Sequence, residues 1–231
     1  MVQVNSTPIN LRVKFTKIGS LQYISHLDLV RTMHKIIVRA KLPLWYTEGF
    51  NPKPKMVFAA PLSIGCESLC EYVDIRLTEH ISLDEAIGRL NDNLTDEMRV
   101  VDAYYPTTKL TDLKWLEYDI AIKTAKADKA LLERCRKVLL SPEIKVMKRS
   151  KKGEALTDIA HLIKSAEFTL SDDIIKVKAV LSADQSEFLN PEYLISALRY
   201  GAGILSDEKI INEYYTILRT QALTADLEEF K

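Results

Sequence analysis

A chain of 231 residues, 47% hydrophobic and 28% charged with no net charge, is sized for one large domain or two of roughly 110 residues, and its core needs no staple. No apolar run approaches the ~18 residues of a membrane span, low-complexity tracts are absent, and the first ten residues lack the charged and apolar regions of a secretory signal. The three cysteines, Cys66, Cys70 and Cys135, read as reduced thiols of a cytoplasmic protein that has no membrane association.

The zero total hides an alternation. Residues 1–60 carry a net +7, 61–106 a net −7, 107–164 a net +6 and 165–231 a net −6. Such a pattern can build a basic face that steers an anionic partner, or each half can pair its own charges.

Residues 11–17 alternate Leu, Val and Phe with Arg and Lys, the period of a half-buried strand. Ser25 opens a helix, with its hydroxyl placed to cap Asp28 and the Asp28 carboxylate placed at the positive end of the helix dipole. Leu27, Val30, Met33, Ile37 and Ala40 give that helix an apolar stripe, and Arg31, Lys35 and Arg39 recur every four residues on another face. Leu42-Pro43 ends it. Residues 48–55 form a loop with two prolines. Strands are expected at 56–62, 71–78 and 98–104, with a second helix after Ser82. The order β-α-β-β-α-β is the ferredoxin-like motif, an antiparallel sheet with both helices on one face.

Residues 107–113 read as a linker, and 114–231 repeat the grammar. A strand is expected at 116–123, a helix capped by Asp128, a strand at 144–149, a hairpin at 166–181, a helix begun by Asn190-Pro191 and stopped at Gly201, and a last strand at 214–222. Residues 158–165 suit a short extra helix. The expected fold is therefore α+β, with two tandem ferredoxin-like units over residues 1–106 and 114–231.

The loop is the most informative stretch. Two X-Pro bonds fix its shape at low entropic cost. It presents Glu48, Gly49, a ring at Phe50, an amide at Asn51, Pro52 and two cations at Lys53 and Lys55, a set suited to a nucleotide or another anion. Ser25, His26, Asp28 and Arg31 at the helix start join it as candidate ligand-binding residues, and Glu71 is a further one. His26, Asp28 and Glu48 are the candidates for acid–base work. The run 145–152 holds five cations in eight residues, as an RNA-binding hairpin tip or a solvated turn.

Cys66-x3-Cys70 continues to Val73 where a radical SAM cluster needs its third cysteine. No cluster, metal or cofactor is therefore expected. P-loop, Rossmann, zinc-hydrolase and nucleophile-elbow motifs are all missing from the sequence.

The ordered blocks Ser25-His26-Leu27-Asp28, Glu48-Gly49-Phe50-Asn51-Pro52-Lys53-Pro54-Lys55, Pro61-Leu62-Ser63-Ile64-Gly65-Cys66-Glu67-Ser68 and Glu71-Tyr72-Val73-Asp74 resemble the radical-SAM-linked domain of unknown function 2344. The resemblance is strong over residues 11–78 and looser beyond. It implies a module found beside, or fused to, a radical SAM protein with a cobalamin-binding-like region, mostly in bacteria. Lys53 departs from the family, which usually has His there. A cationic role survives that change and an acid–base role does not. The expectation is an accessory, substrate-binding protein that presents RNA or another anionic substrate to a partner radical SAM enzyme. The alternatives are a stand-alone RNA-binding protein and an enzyme of unknown reaction using His26, Asp28 and Glu48. Oligomeric state is not legible.

Overall fold

In the computed structural model, residues 7–124, 127–150, 153–205 and 213–231 are described, with the backbone alone at 149 and 150. The chain divides into two compact units, Met1–Asp112 with Lys231, and Leu113–Phe230. The division falls inside the expected linker, but most of that segment belongs to the first unit. Residues Leu110–Asp112 form a 3₁₀ turn, and Arg12 donates to the Thr108 hydroxyl at 2.8 Å and to its carbonyl at 3.2 Å.

The first unit runs β1 (Ile9–Lys17), α1 (His26–Arg39), β2 (Met56–Phe58), β3 (Cys66–Leu77), α2 (Leu83–Asn91) and β4 (Val100–Tyr104). Its strands lie in the order β4-β1-β3, with β2 on the far side of β3, and all pairings are antiparallel. Leu11, Val13 and Phe15 of β1 and Val73, Ile75 and Leu77 of β3 form one core with Leu29, Met33, Ile36 and Ile37 of α1 and Ala86 and Leu90 of α2. Both helices therefore cover the same sheet face. Full burial of each such aliphatic side chain stabilises the unit by ~1.5–3 kcal/mol.

On the opposite parity of the same strands, Arg12 and Asp74 stand directly across from one another. The buried guanidinium meets the carboxylate with Nε–Oδ1 at 2.7 Å and Nη2–Oδ2 at 3.1 Å. Two parallel bonds of this kind fix register as well as charge.

The second unit runs β5 (Trp115–Lys123), α3 (Lys129–Leu139), β6 (Lys145–Ser150), β7 (Gly153–Asp158), β8 (Ile163–Ser171), β9 (Ile174–Ser182), α4 (Glu192–Ala202) and β10 (Tyr214–Leu223). Its sheet is ordered β10-β5-β9-β8, antiparallel throughout, and β6 and β7 form a separate two-stranded hairpin. The expected helix at 158–165 is instead the end of β7, a 3₁₀ turn (Ala160–Leu162) and the start of β8. The cause is Asp158, whose carboxylate accepts from the backbone N–H of Ile144 at 2.8 Å and of Ala160 at 3.0 Å. That local bond competes with helix formation. Gly203, not Gly201, stops α4, in the left-handed conformation that glycine reaches at no steric cost.

Candidate functional site

The chain enters α1 through a 3₁₀ turn, Gly19–Tyr23. Gly19 has φ +62. Its N–H donates to Glu67 at 2.7 Å, and the Glu97 carboxylate accepts from the N–H of Ser20 at 3.0 Å. The turn that precedes the helix is thus tied to two acids. Ser25 then caps α1 as expected, accepting from the Asp28 N–H at 3.2 Å and donating to the Asp28 carboxylate at 2.7 Å. Arg31 adds a bond to Asp28 at 3.2 Å. The Ser25 hydroxyl chiefly holds the Asp28 carboxyl below its ordinary range, against an opposing effect of desolvation and with lesser help from Arg31.

After α1 the chain leaves β3 and returns to it. Trp45 N–H donates to the Arg76 carbonyl at 2.9 Å, Lys55 N–H to Trp45 at 3.1 Å and Arg76 N–H to Lys55 at 2.9 Å. Between these limbs, residues 47–53 close on themselves. Thr47 N–H donates to the Lys53 carbonyl at 2.9 Å and Lys53 N–H to the Thr47 hydroxyl at 3.2 Å. Gly49 at the tip has φ +128, a backbone open to glycine and strained for other residues. The loop is a fixed hairpin.

That hairpin lies on α1. The His34 imidazole bridges the two, Nδ1 facing the Val30 carbonyl at 2.9 Å and Nε2 facing the Pro54 carbonyl at 3.3 Å. Between loop and helix runs a groove of about 780 Å³, within the range of ligand sites. Leu27, Val30, His34 and Val38 form its floor, Arg31, Lys35 and Arg39 follow along the helix, and Lys53 and Pro54 come from the loop. Leu27 is 57% and Val38 48% exposed.

Of the expected ligand-binding residues, Arg31 and Lys53 line this groove. Ser25 and Asp28 stand behind Arg31. Glu48, Gly49, Phe50, Asn51 and Pro52 are at the exposed loop tip, with Phe50 wholly in solvent, and Lys55 is exposed on the returning limb. Glu71 is elsewhere: it pairs with Phe15 in the β1–β3 ladder and is 2% exposed. His26 packs its ring edge-on against Phe58, centroids 5.3 Å apart. Among the described residues no hydrogen bond joins His26, Asp28 and Glu48. The Asp28 carboxylate, stabilised in its charged form, is a weakened base.

Lys35, Val38, Arg39, His34 and Pro54 complete the groove without having been singled out as site residues. Their signal is in the sequence: cations at i, i+4 and i+8 beside a second apolar row. Leu27 and Val30, expected in the core, belong to that outward row.

Two cations of the basic run 145–152 are engaged within their own unit. Lys145 pairs with Glu143 at 2.7 Å, and Lys148 lies 5.6 Å from the Tyr193 ring centre. Lys151 and Lys152 lie outside the described residues. Cys66, Cys70 and Cys135 are buried and form no disulfide, and among the described residues no three His, Cys, Asp or Glu side chains converge as a metal site would require. No helix of the described residues is long and apolar enough to cross a membrane.

The family described as uncharacterized protein conserved in bacteria (DUF2344) matches residues 10–191, which include the whole groove. No curated protein matches the chain. Among solved structures, the crystal structure of a Cbf5-Nop10-Gar1 complex contains a chain that is 10% identical with a TM-score of 0.51 over 92% of this chain. This chain spans about half of that one's length, 48%. An unknown protein from Galdieria sulphuraria (7% identity, 92% of this chain and 99% of that one, TM-score 0.25) and DyPB from Rhodococcus jostii RHA1 (8%, 93% and 94%, TM-score 0.21) overlap poorly. The first likeness is one of α+β fold alone.

Proposed function

Because this chain belongs to the DUF2344 family, we propose that it is a cytoplasmic accessory protein acting with a partner radical SAM enzyme. The α1–loop groove is the surface through which it engages the anionic component of that assembly, either the substrate, such as RNA, or the enzyme itself. The observation that carries this reading is the groove's rim. Arg31, Lys35, Arg39 and Lys53 border one concavity, and among the described residues Arg31 alone of the four has a carboxylate at ion-pair distance. The radical chemistry belongs to the partner, and no step is assigned to His26, Asp28 or Glu48. We read both units, with their strand orders β4-β1-β3-β2 and β10-β5-β9-β8, as ferredoxin-like, the second with the β6–β7 hairpin inserted.

Co-purification tests the reading. A partner radical SAM enzyme from the same organism is expected to be retained by the wild type and lost from the Arg31→Ala/Lys35→Ala/Arg39→Ala variant. Retention no greater than background for the wild type would remove the proposal.

A second reading, a stand-alone RNA-binding protein, is favoured by the fully exposed Phe50 ring near these cations, since rings and cations together bind single strands. It predicts affinity for single-stranded RNA whose logarithm falls with log salt by about 0.7 per phosphate contacted.

A further inference from the structure

α1 carries two apolar faces, and the fold uses one of them. Leu29, Met33, Ile36 and Ile37 face the core. Leu27, Val30, His34 and Val38 lie about a third of a turn away at 3.6 residues per turn, and they floor the groove. Their spacings of three, four and four residues are those of a row that packs against another helix. Arg31, Lys35 and Arg39 each follow one residue after a floor residue, so all three cations fall along the same flank. In a helix-packing seam, flanking charges of this kind select the partner's orientation and charge.

Resting on the accessory-protein reading, we propose that the groove receives an acidic amphipathic helix of the partner protein. The helix's apolar face would cover Leu27, Val30 and Val38, and its carboxylates would meet Arg31, Lys35, Arg39 and Lys53. The dimensions agree. From Leu27 to Val38 the floor is about 16 Å long at 1.5 Å per residue. A helix of ~5 Å radius sunk to half its section fills the 780 Å³ over roughly 20 Å, about 13 residues. The floor chemistry separates this occupant from a nucleic acid. Its exposed side chains are aliphatic, whereas bases are held by rings to stack on, and the one fully exposed ring, Phe50, stands at the loop tip and not on the floor. Helix-in-groove recognition is read in the same i, i+3, i+4, i+7 anchors that this floor is spaced to accept.

The test uses a synthetic 20-residue peptide with Leu at i, i+3, i+4 and i+7 positions and Glu elsewhere, a scrambled peptide of equal composition, and a 12-nucleotide poly-uridine RNA. Each is titrated by fluorescence anisotropy against the full chain. The amphipathic peptide is expected to bind, and the scrambled one to bind about tenfold or more weakly. Arg31→Ala/Lys35→Ala/Arg39→Ala is expected to weaken the amphipathic peptide about tenfold, three rim pairs each contributing a modest factor. Val38→Asp, which places an acid on the floor, and Lys53→Glu, on the loop, are expected to weaken it independently. Unchanged far-UV circular dichroism checks that the variants fold. Equal binding of both peptides would overturn the proposal, since charge alone would then suffice. RNA bound in a groove-dependent way with no peptide binding would overturn it while leaving the groove's anion-binding role standing. Binding of neither probe would overturn both.

Discussion

His34→Leu isolates the tie that holds the groove open. The imidazole reaches a carbonyl on the helix, Val30 at 2.9 Å, and one on the loop, Pro54 at 3.3 Å. Leucine fills the space and keeps the helix propensity, but it donates to neither. A neutral imidazole donates from one nitrogen, and the tautomer with Nε2–H makes the bond to Pro54; at about 0.5–1.5 kcal/mol for a net hydrogen bond, the loop should lose about 1 kcal/mol of local stability. The loss is confined to the loop, because α1 retains its core face of Leu29, Met33, Ile36 and Ile37. Native-state hydrogen exchange reads it directly. The Thr47 and Lys55 amides, which bond Lys53 and Trp45, are expected to exchange about fivefold faster, as ~1 kcal/mol implies. The Val13 amide in the β1 ladder should stay within error. Unchanged exchange at Thr47 and Lys55 would show that His34 does not tether the loop, and an equal rise at Val13 would show a global effect instead.

Ser25→Ala removes the α1 cap and is expected to cost about 1 kcal/mol in urea unfolding, against a few tenths for Ser25→Gly. The Asp28 carboxyl, depressed mainly by the Ser25 hydroxyl, favours the fold above its unfolded pKa of 3.8, and that contribution is lost as pH falls through its lower folded value. An NMR titration of Asp28 should show the low midpoint in the wild type and a rise toward the ordinary value in Ser25→Ala. Gly49→Ala forces a side chain onto φ +128. It is expected to destabilise the loop by more than ~1 kcal/mol, seen as faster exchange at Thr47 without a change in melting temperature. The Cys135 thiol is pushed up to about 11 by burial, and Cys66 and Cys70 are buried in β3. Mass spectrometry at pH 8 should therefore find no alkylation of the native protein by iodoacetamide and three adducts in urea.

The elements around the site were readable because each has a local chemical cause. Ser25 is placed to cap α1, Asp128 accepts from Leu131 N–H at 2.6 Å to cap α3, and the two prolines mark the loop. What the sequence could not decide was which way α1 faces. Its apolar residues fill two adjacent stripes, and a periodicity of 3.6 fits Leu27 and Val30 as well as Leu29 and Ile36. The sheet beneath makes that choice: Met33, Ile37 and Ala40 of the expected stripe are buried, whereas Leu27 and Val30 line the groove and Leu29 and Ile36 take the core positions. Glu71, a candidate ligand-binding residue, is buried in β3, and the sequence did not show this for a similar reason. Nine of the twelve positions of β3 are buried, so its alternation does not separate an inner face from an outer one. Gly201 reads as a helix stop, yet it lies inside α4, where a Cβ would come within 2.8 Å of Val138 Cγ2 on α3. There glycine serves close helix packing.

The most direct measurement of the central claim is hydrogen–deuterium exchange of the chain with and without the proposed partner, a radical SAM enzyme from the same organism. Protection concentrated in residues 26–39 and 47–55, absent with the Arg31→Ala/Lys35→Ala/Arg39→Ala variant, is the expected result. A stable complex that protects other segments and leaves these two unchanged would contradict the groove as the docking surface.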